Sequence, residues 1–140
     1  MSEPVGYLLD TNVLSETRKR NPDAQVLAFL ANADPSTLYI SVLTLGELRK
    51  GVARKQLSDP FAAANIAGWV DGLELGYADR ILGIDARTAR LWGEWSARRP
   101  LPVVDTLLAA TAVAHGLTLV TRNTGDVEDI DVRLHNPFSS

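Results

Sequence analysis

Tyr7-Leu8-Leu9-Asp10-Thr11-Asn12 is the stretch that decides the fold. Three consecutive residues with apolar bodies read as a short buried strand, and the carboxylate that follows stands where the strand gives way to a helix. In an open α/β sheet, that is the edge outside which ligands bind. Asp10 therefore raises two questions: whether the rest of the chain builds such a sheet, and which other side chains reach the same edge.

The order of elements supports a parallel sheet with helices packed on it. Val13 to Lys19 suits a short helix, and Asn21-Pro22 supplies a cap and a first-turn proline for a second helix over residues 23–33. Asp34-Pro35-Ser36 breaks it, and Leu38-Tyr39-Ile40 is the next strand. Ser41 is placed to cap a helix whose apolar positions Val42, Leu45, Leu48 and Val52 recur at helical spacing. Asp59-Pro60 repeats the cap-plus-proline signal and opens an alanine-rich helix to about Leu75. Ile81 to Ile84 reads as a third strand, followed by a helix capped by Asp85 with Ala86, Ala89, Trp92 and Trp95 on one face. Val103 to His115 forms a further helix with Val104, Leu107, Leu108 and Thr111 on one stripe, and Gly116 ends it. Leu117 to Val120 is a fourth strand, a polar loop runs from Thr121 to Asp126, and a last short strand lies around Val132–Leu134.

Composition sets the outer limits. At 140 residues the chain is long enough to bury one core without disulfides or a structural metal, so residues 1–140 are expected to form a single domain. Hydrophobic residues make up 46% and charged residues 22%, ordinary values for a globular protein. The absence of cysteine excludes a disulfide framework and a thiolate zinc site, and is compatible with a reducing cytoplasm, the expected location. Met1-Ser2-Glu3-Pro4 lacks the pattern of a signal peptide, and no apolar run is long enough to span a bilayer, so no membrane association is expected. A net charge of −3 argues against coating nucleic acid by bulk attraction alone. Local contacts remain open to Arg18-Lys19-Arg20, Arg49-Lys50 with Arg54-Lys55, and Arg98-Arg99, although each also suits a solvated helix face.

In a parallel α/β sheet, strand ends and helix starts share one edge. Asp10 ends the first strand, Glu47 lies in the second turn of the helix after strand two, Asp105 in the first turn of a late helix, and Asp126 in the loop leaving strand four. All four map to one rim. Carboxylates gathered there repel one another unless some take up protons or a cation neutralises them. All-oxygen ligation suits Mg²⁺, or alternatively Mn²⁺, whereas zinc prefers nitrogen and sulfur. The two histidines, His115 and His135, are expected away from the rim. Simpler roles exist for each acid: helix cap for Asp10, surface helix residue for Glu47, dipole partner for Asp105, turn residue for Asp126 with Glu128, Asp129 and Asp131 as rivals. Thr11, Asn12, Ser41, Thr121 and Asn123 are small polar groups near the same rim, suited to orienting an acid or a metal-held water, and Arg122 suits a phosphate.

These residues resemble the PIN-domain family, in particular the ribonuclease toxins of VapBC-type toxin–antitoxin pairs and the FitB-like group. The matching pieces are Leu8 to Glu16, Ile40 to Gly51, Asp105 to Ala112, Leu119 to Asn123 with Asp126, and the Asn136-Pro137-Phe138 tail. The resemblance implies an α/β fold, a PIN-like three-layer sandwich whose central, mostly parallel sheet of four to five strands is flanked by helices. It further implies a Mg²⁺- or Mn²⁺-dependent endoribonuclease that hydrolyses RNA phosphodiester bonds, with Asp10, Glu47 and Asp105 as the core acids and Asp126 as the fourth. Family members typically form homodimers held inactive by a cognate antitoxin protein, which alone contacts operator DNA. Two other readings stand beside it. One is a PIN-like module that binds RNA or a partner without catalysis. The other is a Mg²⁺-dependent phosphoacceptor signalling domain, which would want adjacent acids after strand one and a late lysine, where this chain has Leu9-Asp10 and Arg122.

Overall fold

The computed structural model describes residues 6–125, 127 and 129–139. The chain alternates as expected: β1 (Tyr7–Leu9), α1 (Thr11–Glu16), α2 (Ala24–Asn32), a single 3-10 turn (Pro35–Thr37), β2 (Leu38–Ser41), α3 (Val42–Ser58), α4 (Pro60–Gly76), β3 (Ile81–Leu82), α5 (Ala86–Arg98), α6 (Val103–Ala114), β4 (Thr118–Val120) and β5 (Leu134–His135). The five strands form one sheet in the order β3-β2-β1-β4-β5, and every pairing is parallel. From β1 the chain winds outward through β2 to β3, then returns to place β4 on the other side of β1. The direction of winding reverses between β1 and β4, and in such sheets that switch point opens a crevice at the carboxyl edge.

The sheet is buried on both faces because successive side chains of a strand point to opposite sides. Leu8 and Leu119 join Trp95 of α5 and Leu108, Ala109 and Ala112 of α6 in one core. Their neighbours Leu9 and Val120 point the other way, into a core with Val13 and Leu14 of α1, Val26 of α2 and Ile40 of β2, against which Trp69 and Leu73 of α4 pack. Leu8, Leu9, Ile40 and Val120 are wholly buried, each such side chain contributing roughly 1.5–3 kcal/mol by leaving water. The three layers follow from that alternation.

Helix starts are set by carboxylates and a hydroxyl. Asp23, Asp59 and Asp85 cap α2, α4 and α5, and Ser41 caps α3. Gly116, with φ +67°, takes the left-handed turn after α6 that favours glycine.

Several boundaries differ from the sequence reading. Helix α1 begins at Thr11 rather than Val13, because the Asp10 side chain accepts the Thr11 N–H. The cap of α2 is Asp23, not Asn21: its Oδ1 takes the N–H groups of Gln25 and Val26 at 2.8 and 3.2 Å. On α5 the inward residues are Thr88 and Trp95, while Ala86 and Ala89 are exposed. On α3 Leu48 is buried as expected, but so is Thr44, while Val42 is 43% exposed; the helix packs chiefly on α4, with smaller contacts to β2 and α1, and its buried face follows those neighbours. Strand β5 sits later than expected and carries His135 opposite Val120. That histidine therefore lies level with the carboxyl edge, where the sequence reading did not put it.

Candidate functional site at the switch point

Asp10 leaves β1 at the reversal point, its N–H donating to the Val120 carbonyl of β4 at 2.9 Å. Its carboxylate is held from both sides. Oδ1 accepts the Thr11 N–H at 2.6 Å, and Oδ2 accepts the Thr121 hydroxyl at 2.7 Å. With Asp10 only 5% exposed and Thr121 3%, this carboxylate is fixed by groups that cannot relax into water.

The other two described acids connect to it through short polar links. Thr11 Oγ1 donates to Glu47 Oε1 at 2.6 Å and lies 3.2 Å from Thr44 Oγ1. On the other side, the Asn123 N–H donates to Thr121 Oγ1 at 3.1 Å, and Asn123 Nδ2 donates to Asp105 Oδ2 at 3.1 Å. An unbroken path therefore runs from Glu47 through Thr11, Asp10, Thr121 and Asn123 to Asp105. It joins residues from α3, α1, β1, the loop after β4 and α6 along one rim.

The sequence set Thr11, Thr121 and Asn123 near this rim, and the structure bonds them to Glu47, Asp10 and Asp105 in turn. Ser41 is buried, and its hydroxyl accepts the Leu43 N–H at 3.0 Å, so it caps α3, and among the described residues it forms no link to an acid. Arg122 is also drawn elsewhere, its guanidinium lying 4.6 Å from the centre of the Phe138 ring. Asn12 is exposed on α1, and among the described residues its side chain bonds none of the acids. Asp126 lies outside the described residues. His135 packs its ring against Phe29 at 5.0 Å, while His115 lies 3.7 Å from Asp85.

The sequence reading missed Glu16. Buried at 5% exposure, it accepts from Lys19 Nζ at 2.9 Å and from the Asp23 N–H at 2.8 Å, fastening the end of α1 to the start of α2. The hydrogen bond from Lys19, seconded by that from the Asp23 N–H, holds its carboxyl below the usual range despite burial. Its place three residues before Lys19 was the available signal.

The donor chemistry fits a hard, oxygen-preferring cation. Asp10 and Glu47 have no lysine or arginine paired with them among the described residues, so nothing described there neutralises them. The acids share a rim but not yet a single coordination sphere: no three acidic or imidazole groups among the described residues are close enough together to hold an ion.

The PIN domain family model matches residues 7–132. The chain belongs to the PIN-domain family. It is 34% identical over 137 residues to a protein of Sinorhizobium fredii named VapC ribonuclease Y4jK, covering 94% of this chain and 96% of that one. It is 33% identical over 142 residues to Toxin FitB of Neisseria gonorrhoeae, covering 94% and 97%. A solved structure of FitAB bound to an IR36 DNA fragment superposes with a TM-score of 0.85 at 30% identity, over 96% of each chain. Membership in this family replaces the phosphoacceptor reading. No helix among the described residues is long and apolar enough to cross a membrane.

Proposed function

We propose that this PIN-domain protein, residues 1–140 forming one domain, is a metal-dependent endoribonuclease that acts as the toxin of a type II toxin–antitoxin pair. The observation that carries the reading is the linked set of acids at the switch point, in a chain similar along almost its whole length to proteins named as a ribonuclease and a toxin. Asp10, Glu47 and Asp105 would hold Mg²⁺ or Mn²⁺, with Asp126 as a fourth acid on the strength of sequence alone. When bound, the divalent cation supplies positive charge to a phosphodiester and lowers the pKa of its attached water.

The chain's own residues prepare that chemistry. Thr121 and the Thr11 N–H fix both oxygens of Asp10, so the carboxylate is aimed before any ligand arrives. Thr11 steers Glu47 toward Asp10, and Asn123 steers Asp105. Burial of Asp10 and Thr121 keeps bulk water from screening this end of the rim. The proposed partners are the RNA substrate, a cognate antitoxin that covers the acidic rim, and a second copy of the chain. Operator DNA would be met only through the antitoxin, and the proposed location is the cytoplasm.

A second reading is a PIN module that binds RNA or a partner without cutting. One assay separates the two. Protein purified free of inhibitor is expected to cut RNA with Mg²⁺ or Mn²⁺ and to stop when chelator is added. RNA left intact under all metal conditions would leave only the binding reading.

A further inference from the structure

Glu47 stands on a ridge between two clefts. On one side, a cleft of about 320 Å³ is lined by Thr11, Ser15 and Arg18 of α1, Glu47 and Gly51 of α3, and Trp69 of α4, among others. On the other side, a cleft of about 550 Å³ is lined by Glu47, Lys50, Gly51 and Arg54 of α3 together with Val104 of α6. Glu47 and Gly51 belong to both, so the two meet across one helix.

The two clefts differ in chemistry. In the smaller, the Arg18 guanidinium lies over the Trp69 ring, 5.3 Å from its centre, which layers a guanidinium on an indole. Those are the two side-chain surfaces on which unstacked bases settle. Its volume is at the lower end of the range for small-ligand sites, and Ser15 and Thr11 add hydroxyls able to meet a base edge. The larger cleft offers the ammonium of Lys50 and the guanidinium of Arg54. Neither they nor Arg18 form an ion pair among the described residues, and each lines a cleft that Glu47 also lines. In a chain of net charge −3, these unpaired cations beside an acidic residue fit a polyanion with flat, apolar bases.

We propose that the smaller cleft is a base-binding subsite: a single-stranded RNA crosses the α3 ridge at Glu47, seats one unstacked base against Trp69 and Arg18, and lays its backbone phosphates beside Lys50 and Arg54. The inference rests on RNA being the substrate and adds where and how the strand is gripped. It makes this cleft the place where the protein chooses among bases, because shape and hydroxyl contacts there act on the base, while the cations act on phosphate and ignore sequence.

The test is equilibrium binding of single-stranded oligoadenylate and oligouridylate to the whole protein, read by anisotropy of a labelled RNA with chelator present. Gly51→Leu places a side chain on the ridge that the two clefts share; a Cβ at this exposed helical position meets nothing within 4 Å, and removal of a mid-helix glycine favours the helix. Loss of one stacked base is expected to weaken binding about tenfold, and to change the ratio of the two affinities. Trp69→Phe, which keeps an aromatic face, is expected to lose less than Trp69→Ala. Lys50→Ala with Arg54→Ala should leave the ratio alone and reduce the salt slope of binding by about 0.7 for each phosphate that is no longer neutralised. Arg90→Ala, on the exposed side of α5, serves as the charge control and should change neither.

Wild-type affinities and ratio in Gly51→Leu would overturn the subsite. So would a Gly51→Leu protein that binds RNA normally but loses its hold on the antitoxin, which would give the cleft to a protein segment. Because binding is read without turnover, the two proposals fail separately: a chain that grips RNA through the cleft but never cuts it keeps the subsite and loses the nuclease. A chain that cuts RNA regardless of Gly51→Leu does the reverse.

Discussion

Asp10 and Glu47 are the same kind of group on the same rim, held in opposite ways. Asp10 is buried at a strand end, with its carboxylate oxygens tied to the first residue of α1 and to the residue that follows β4. Glu47 is exposed on a helix and is tied by one threonine hydroxyl. The backbone N–H of Asp10 is also bonded into β4, so moving this acid means opening the sheet. Moving Glu47 takes only a change of rotamer. The sheet end therefore supplies a fixed reference, and the α3 wall supplies a group that can adjust to what is bound.

The hardest test of that contrast is Asp10→Asn. It removes the charge while keeping a residue that caps a helix as well as aspartate does. RNA cleavage is expected to fall on the order of 10²–10³-fold or more, with melting in urea changed by less than about 1 kcal/mol. Equal activity would sink the proposed site, and unfolding would show that the charge itself holds the sheet end.

Next is Thr121→Val, which deletes the donor to Asp10 Oδ2 and keeps the shape. A loss of about 10–100-fold in metal affinity or cleavage is expected, the scale for residues that orient a ligating group. Stability should drop by about 1–3 kcal/mol, because a buried acceptor is left without its partner. Thr121→Ser should restore most of both. If Thr121→Val lowers stability but leaves metal affinity as it was, the hydroxyl serves the fold and not the site.

Thr11→Val applies the same deletion to the exposed end. Water can replace the missing hydroxyl at Glu47, so the expected loss of cleavage is smaller than for Thr121→Val, less than about tenfold. A larger effect than at Thr121 would reverse the ranking of the two ends.

Smallest of all is the pH effect of Glu16, which lies off the rim. Its carboxyl is held below the ordinary range, first by the Lys19 hydrogen bond and then by that from the Asp23 N–H. A lowered folded-state pKa contributes stability that is fully present above the unfolded value and is lost as pH falls through the folded one. Wild type is therefore expected to melt higher than Glu16→Gln near neutrality, with the gap closing below about pH 4.3. A gap that does not depend on pH would assign the difference to packing.

The sequence was most informative where local chemistry dictates backbone shape. Tyr7-Leu8-Leu9-Asp10 announces a strand end, and Asp59-Pro60 and Asp85 mark helix starts that the structure keeps. The all-parallel order followed from alternating elements. Boundaries shifted where two caps competed, as at Asn21 and Asp23, since only three-dimensional placement shows which side chain reaches the free N–H groups. The inward face of α5 was read in part: Trp92 and Trp95 pack into the core as expected, but Thr88, polar by name, is wholly buried there in place of Ala86 and Ala89. At the site, Asp10, Glu47 and Asp105 could be placed on one rim from topology alone. The links through Thr11, Thr121 and Asn123 join residues up to 111 positions apart, a distance that no spacing rule spans.

One consequence of the Asp10 cap concerns inheritance rather than chemistry. A side chain that both starts a helix and carries the proposed activity can be exchanged for asparagine at little cost to folding, and that exchange is a single-base change in the genetic code. If Asp10→Asn folds and is inactive as expected, a toxic member of this family is one point mutation from a harmless relative that still presents the same surface. In a population that loses its antitoxin, such silenced copies are expected among the survivors.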